Sequence, residues 1–153
     1  MADIQFYHLL STSLERALPK LLEKALAGEF RVLVRVESEA RGEQLNTELW
    51  TYNPNNFLPH GTAKDGFAEE QPIYITAGQE NPNNANLLVI TDGSKPESFN
   101  GFTRMLDIFD GANDDSVTKA RARWSQYKNE GHNLTYIKQT SAGGWEKMAE
   151  SAA

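Results

Sequence analysis

Between Lys119 and Lys128 the chain reads Lys-Ala-Arg-Ala-Arg-Trp-Ser-Gln-Tyr-Lys, which gathers four cations and two aromatics with no acidic residue. Side chains of these types suit capture better than bond breaking. A guanidinium grips a carboxylate through paired hydrogen bonds, and a neighbouring ring receives an apolar group. On a 3.6-residue period Arg121, Trp124, Ser125 and Lys128 share one stripe, while Val117, Ala120 and Tyr127 lie on an adjacent apolar face. An acidic, partly apolar ligand fits that stripe. The alternative is a core-facing Trp124 with solvated cations beside it, and charge patterning alone favours it.

A second aromatic group comprises Leu49-Trp50-Thr51-Tyr52, then Phe57-Leu58-Pro59-His60 and, further on, Phe67. Large aromatics in a loop punctuated by Asn and Pro are awkward to bury and are enriched at protein interfaces. Here too an alternative stands: Trp50 closes the core beneath its helix and Phe57 pins the loop. The densest carboxylates, Asp107, Asp110, Asp114 and Asp115, have the chemistry to hold a magnesium ion, although a solvated turn and helix start explains them more simply. His8, His60 and His132 have no metal-ligand spacing. GxGxxG, GxxxxGK[ST] and GxSxG are all missing, and the link after the first expected strand is Leu10-Ser11-Thr12-Ser13. No cofactor is expected.

Composition narrows the partners. The 153 residues carry a net charge of −6, which opposes broad binding to a nucleic-acid backbone. With no cysteine, disulfides, thiolate metal sites and thiol nucleophiles are excluded. Apolar residues at 39% and charged residues at 24% describe one globular domain, and apolar runs as short as Leu87-Leu88-Val89-Ile90 cannot span a bilayer. Met1-Ala2-Asp3-Ile4 has no basic region leading into a long apolar one, so a cytoplasmic protein without membrane contact is expected.

The elements that must position these residues alternate in type. Ile4 to Leu9 reads as a strand; Thr12 and Glu15 have capping-box spacing, and Leu14, Leu18, Leu21, Leu22 and Ala25 mark a helix that Gly28 ends and Pro19 kinks or delays. Phe30 to Val36 is a strand and Glu39 to Trp50 a helix. Strands follow at Pro72 to Thr76, Asn86 to Thr91 and Arg104 to Phe109, then a helix capped by Ser116 and running to about Glu130, and a last strand at Leu134 to Ile137. Strand-helix alternation with continuous apolar strands predicts an α/β layer fold with a mostly parallel central sheet. The two Asn-Pro-Asn-Asn loops are turn chemistry and not a repeat. Residues after Gly143-Gly144 read as a small polar tail, so the domain is placed at 1–140 and the tail at 141–153.

In order along the chain, Phe6-Tyr7, Arg31-Val32-Leu33-Val34, Leu45 with Leu49-Trp50, Phe57-Leu58-Pro59-His60, Ala120-Arg121 with Arg123-Trp124, Tyr127-Lys128, and Gly131 with Asn133-Leu134 resemble the chi subunit of bacterial DNA polymerase III holoenzyme. The ordered set covers roughly Ile4 to Tyr136. It implies a single-domain, Rossmann-like three-layer fold without a nucleotide-binding loop, and a non-catalytic accessory subunit at the replisome. It further implies capture of the acidic C-terminal tail of single-stranded-DNA-binding protein through Arg121, Trp124 and Lys128, with Arg123 or Lys128 compensating for Ser125, which stands where a lysine is usual. Trp50, Phe57, Pro59 and His60 match the surface that receives the psi subunit, or an equivalent clamp-loader or helicase partner. The runner-up from a different class is a small α/β enzyme acting on a nucleotide or phosphate ester through the Asp107 to Asp115 carboxylates. A direct single-strand binder stacking bases on Trp124 and Tyr127 is a third reading, which the net charge opposes.

Overall fold

The computed structural model describes residues 3–53, 58–94, 98 and 101–151. Among them the chain runs β1 (Asp3–Leu9), α1 (Leu14–Ala27), β2 (Val32–Arg35), α2 (Glu39–Thr51), β3 (His60–Thr62), β4 (Ile73–Thr76), β5 (Leu87–Thr91), β6 (Arg104–Asp110), α3 (Asp114–Asn129), β7 (Asn133–Gln139) and β8 (Trp145–Ser151). The strands form one sheet in the order β3-β4-β2-β5-β6-β1-β7-β8, parallel except for β8, which runs antiparallel to β7. No helix among the described residues is long and apolar enough to cross a membrane.

Two apolar layers hold the helices to the sheet. On one face Leu18, Leu22, Leu45 and Leu49 from α1 and α2 pack on Val32, Val34, Val89 and Ile108. On the other, Ala120 and Tyr127 from α3 pack on Ile4, Phe6, Met105 and Phe109. Every residue of β5 is buried, because helices cover both faces, and that is why it reads as an unbroken apolar run.

Several boundaries differ from the sequence expectation for identifiable reasons. Ser13 is the N-cap of α1, and the box between Thr12 and Glu15 does not form: Thr12 Oγ1 accepts a 2.8 Å hydrogen bond from Gln139 Nε2, and Glu15 pairs with Arg41. The helix runs through Pro19 without a late start. The start of α3 is set by Asn113, whose Oδ1 accepts from the Ser116 amide at 3.1 Å, so Ser116 lies inside the helix. The tail is not separate, since Trp145–Ser151 pairs along β7 and Trp145 meets Tyr7 edge to face at 5.0 Å.

The carboxyl ends of parallel strands are where α/β folds receive nucleotides, usually on amides after the first strand. Here those amides are already engaged. Gln139 Oε1 accepts from the N–H groups of Leu10, Ser11 and Thr12 at 3.0, 2.9 and 3.2 Å. Arg35 crosses the same rim, donating to the carbonyls of Gly78 at 3.2 Å and Ser94 at 2.5 Å, and Arg41 holds Asp92 at 2.8 Å.

Candidate peptide-binding site

Helix α3 divides its cations between two directions. Ala120, Arg123 and Tyr127 are the buried positions, spaced three and four residues apart, so they face the sheet together. Arg123 is 8% exposed and opposes Asp107 on β6, which is fully buried. Its Nε and Nη2 donate to the two carboxylate oxygens at 2.7 and 2.9 Å. Burial raises the pKa of the Asp107 carboxyl, and the fork of Arg123 pulls it back toward the ionised form.

This pair corrects two expectations. Arg123 is not a cation of the exposed rim, because its guanidinium is committed to the core. Nor do the carboxylates converge on a metal or phosphate: Asp107 is buried, Asp110, Asp114 and Asp115 are exposed, and Asp115 pairs with Lys119 at 3.1 Å. Among the described residues no group of three or more His, Asp or Glu side chains is arranged to hold a metal ion.

Arg121, Ser125 and Lys128 are exposed, and Arg121 and Lys128 make no ion pair among the described residues. Trp124 lies at the boundary, half-buried, with one edge toward the core. Its ring meets Phe6 edge to face at 5.4 Å and Tyr136 at 6.0 Å. Neither sequence alternative for Trp124 is complete, since the indole anchors the helix to the sheet and also lines the surface.

Strand β7 adds residues the sequence reading passed over. Tyr136 is half-buried, and its hydroxyl is hydrogen-bonded to Nδ1 of His8 on the adjacent strand. Both side chains share the α3 face, with Phe109 5.0 Å from His8 and 6.2 Å from Tyr136. Burial is the main cause that lowers the His8 pKa, and Lys138 and Arg121 add to it. The imidazole is therefore neutral near pH 7, with a nitrogen available to the Tyr136 hydroxyl. Burial likewise raises the Tyr136 pKa, while Arg121 acts to lower it. Arg121 lies near enough to act on both His8 and Tyr136, and the rings of Trp124 and Tyr136, 6.0 Å apart, form an aromatic patch on this face of the sheet. The alternation of Asn133 to Gln139 was the available signal: Leu134, Tyr136 and Lys138 fall on one face.

The second expected surface lies at the far edge of the sheet. Trp50, at the end of α2, is 51% exposed and rests on the His60 ring at 4.6 Å. His60 is buried, with Nδ1 at 2.6 Å from the Leu58 carbonyl oxygen and Nε2 at 3.3 Å from that of Asn46. Its role is to support the indole from beneath. Pro59 is partly exposed, and Phe57 lies outside the described residues.

Residues 1–135 match the family described as "DNA polymerase III chi subunit, HolC". The chain is 30% identical over 156 residues to a protein of Rickettsia prowazekii named "Probable DNA polymerase III subunit chi", a match spanning 97% of this chain and 93% of that one. It is 32% identical over 107 residues to "DNA polymerase III subunit chi" of Haemophilus influenzae, covering 69% and 73% of the two chains. The Escherichia coli protein of that name is 29% identical over 106 residues, covering 68% and 71%. The chain therefore belongs to the DNA polymerase III chi subunit family.

Proposed function

We propose that this chi subunit is a non-catalytic adaptor of the cytoplasmic replication machinery. It captures the acidic C-terminal tail of single-stranded-DNA-binding protein on α3 and engages a psi-type, clamp-loader or helicase partner at Trp50, with Phe57 and Pro59 as further contacts. One arrangement supports the first half: Arg121, exposed and without an ion pair among the described residues, stands one helical turn before Trp124, whose ring meets Tyr136 at 6.0 Å in the aromatic patch. A peptide ending in an aromatic residue offers that patch its ring and its carboxylates together. Lys128 adds positive charge farther along the helix.

A titration with a labelled peptide ending in Asp-Asp-Ile-Pro-Phe tests this reading. Removal of the final Phe is expected to weaken binding by about 10-fold or more, because a buried aromatic contributes roughly 1.5–3 kcal/mol. If the truncated peptide binds equally well, the patch is a general cationic surface and the reading falls.

Support for the second surface comes from the exposure of Trp50 over a buried support. Trp50→Ala is expected to cost about 1–2 kcal/mol of stability, less than the about 3–5 kcal/mol of a fully buried aromatic, while weakening assembly with the clamp-loader partner. Thermal melting and co-purification measure the two effects. Unimpaired assembly removes this surface from the proposal.

A further inference from the structure

Position 125, where the resemblance places a lysine, is an exposed serine, and Arg123 is spent on Asp107. The remaining helix cation, Lys128, is seven residues from Arg121, which places it about 10 Å further along the axis. An ammonium on the sheet is better placed. Lys138 of β7 pairs in register with His8 of β1, and residues in register on parallel neighbours project from the same face. Lys138 therefore shares the α3 face with His8 and, two residues earlier on its own strand, Tyr136.

We propose that Lys138 is the second cation of the peptide site, so that an acidic peptide is gripped across the Trp124–Tyr136 pair, between a guanidinium on α3 and an ammonium on β7. The inference rests on the reading of α3 as the tail-binding surface. It replaces a row of charges along one helix with a clamp between helix and strand.

The two cations are suited to different tasks. Arg121 presents a rigid fork that fixes one carboxylate, whereas Lys138 is a point charge on a flexible stem and tolerates a carboxylate at varied positions. A peptide that ends in a carboxylate and carries aspartates nearby supplies both. Electrostatics is consistent with the same arrangement, since Lys138 and Arg121 both add to the lowering that burial imposes on the His8 pKa. His8 and Tyr136 serve as positioning residues, with the buried imidazole holding the tyrosine hydroxyl. One carboxylate opposes the clamp. Glu146 of β8 is the cross-strand partner of Lys138, exposed and without an ion pair among the described residues, and competes with the peptide for that ammonium.

Fluorescence anisotropy of the full chain with the labelled Asp-Asp-Ile-Pro-Phe peptide tests the clamp. At low salt Lys138→Gln is expected to weaken binding about 3- to 5-fold, the range for a single rim charge, and more than Lys128→Gln does. Lys138→Arg should bind like the parent. Glu146→Gln should tighten binding by a similar factor, and all these differences should shrink in high salt. Thermal melting of each variant checks that the fold is retained. If Lys138→Gln binds like the parent while Arg121→Ala does not, Lys138 is no part of the site and the clamp falls, although the α3 site stands. If Arg121→Ala and Trp124→Ala also bind like the parent, the α3 reading fails and takes the clamp with it. Equal losses in Lys138→Gln and Lys138→Arg would make the lysine's role structural and would also overturn the proposal.

Discussion

Arg123→Ala is expected to destabilise the fold by about 3–5 kcal/mol, because it leaves the Asp107 carboxylate buried without its counter-ion. For a domain of this size, that is a fall of about 10 °C in melting temperature. The loss belongs to breaking the pair, not to the pair's net value. Arg123→Met combined with Asp107→Leu should therefore recover most of the stability, since replacing both charges by apolar groups is often close to neutral. Thermal melts of the single and double variants decide the matter. A single variant that melts with the parent would mean that Asp107 takes up a proton or reaches water without penalty.

Two positions earlier on the same helix the expectation reverses. Arg121→Ala should leave the melting temperature nearly unchanged and weaken capture of the acidic tail by about 2–4 kcal/mol, the range for a carboxylate held by a partly desolvated guanidinium. Trp124→Ala should also weaken binding, and its deficit should persist in high salt because apolar contact is not screened. It should lower stability as well, since the indole touches Phe6 and Tyr136. Fluorescence anisotropy at two salt concentrations, with melting curves alongside, separates these effects. Parent-like binding by both variants would leave α3 an ordinary solvated helix.

The opposite fates of Arg121 and Arg123 show what the sequence makes legible. Cations and aromatics in one decade of residues point to α3, and helical spacing assigns Arg121 and Trp124 to one stripe. The same spacing sets Arg123 between Ala120 and Tyr127 on the buried face, so its removal from the surface was also readable. A matching signal lies in Met105-Leu106-Asp107-Ile108-Phe109, where a lone carboxylate within an apolar run requires a buried partner. What was not readable depends on pairing between distant segments. His60–Thr62 is three residues without a branched run and becomes a strand only through its bonds to β4. Trp145–Ser151 has no alternating pattern because its side chains are largely exposed, and its strand character comes from β7. The contact of His8 with Tyr136 spans 128 positions and follows only from the strand order.

That strand order bears on how the protein is made. β1 leaves the ribosome well before β6 and β7, the two strands between which it ends. Both edges of an early apolar strand thus wait for partners more than 90 residues downstream, and the amides beyond it wait for Gln139. Non-local pairing of this kind slows folding and leaves unpaired edges open to wrong partners. Nascent chains stalled before β6 should remain protease-sensitive around β1, because both strands that flank it are translated only later.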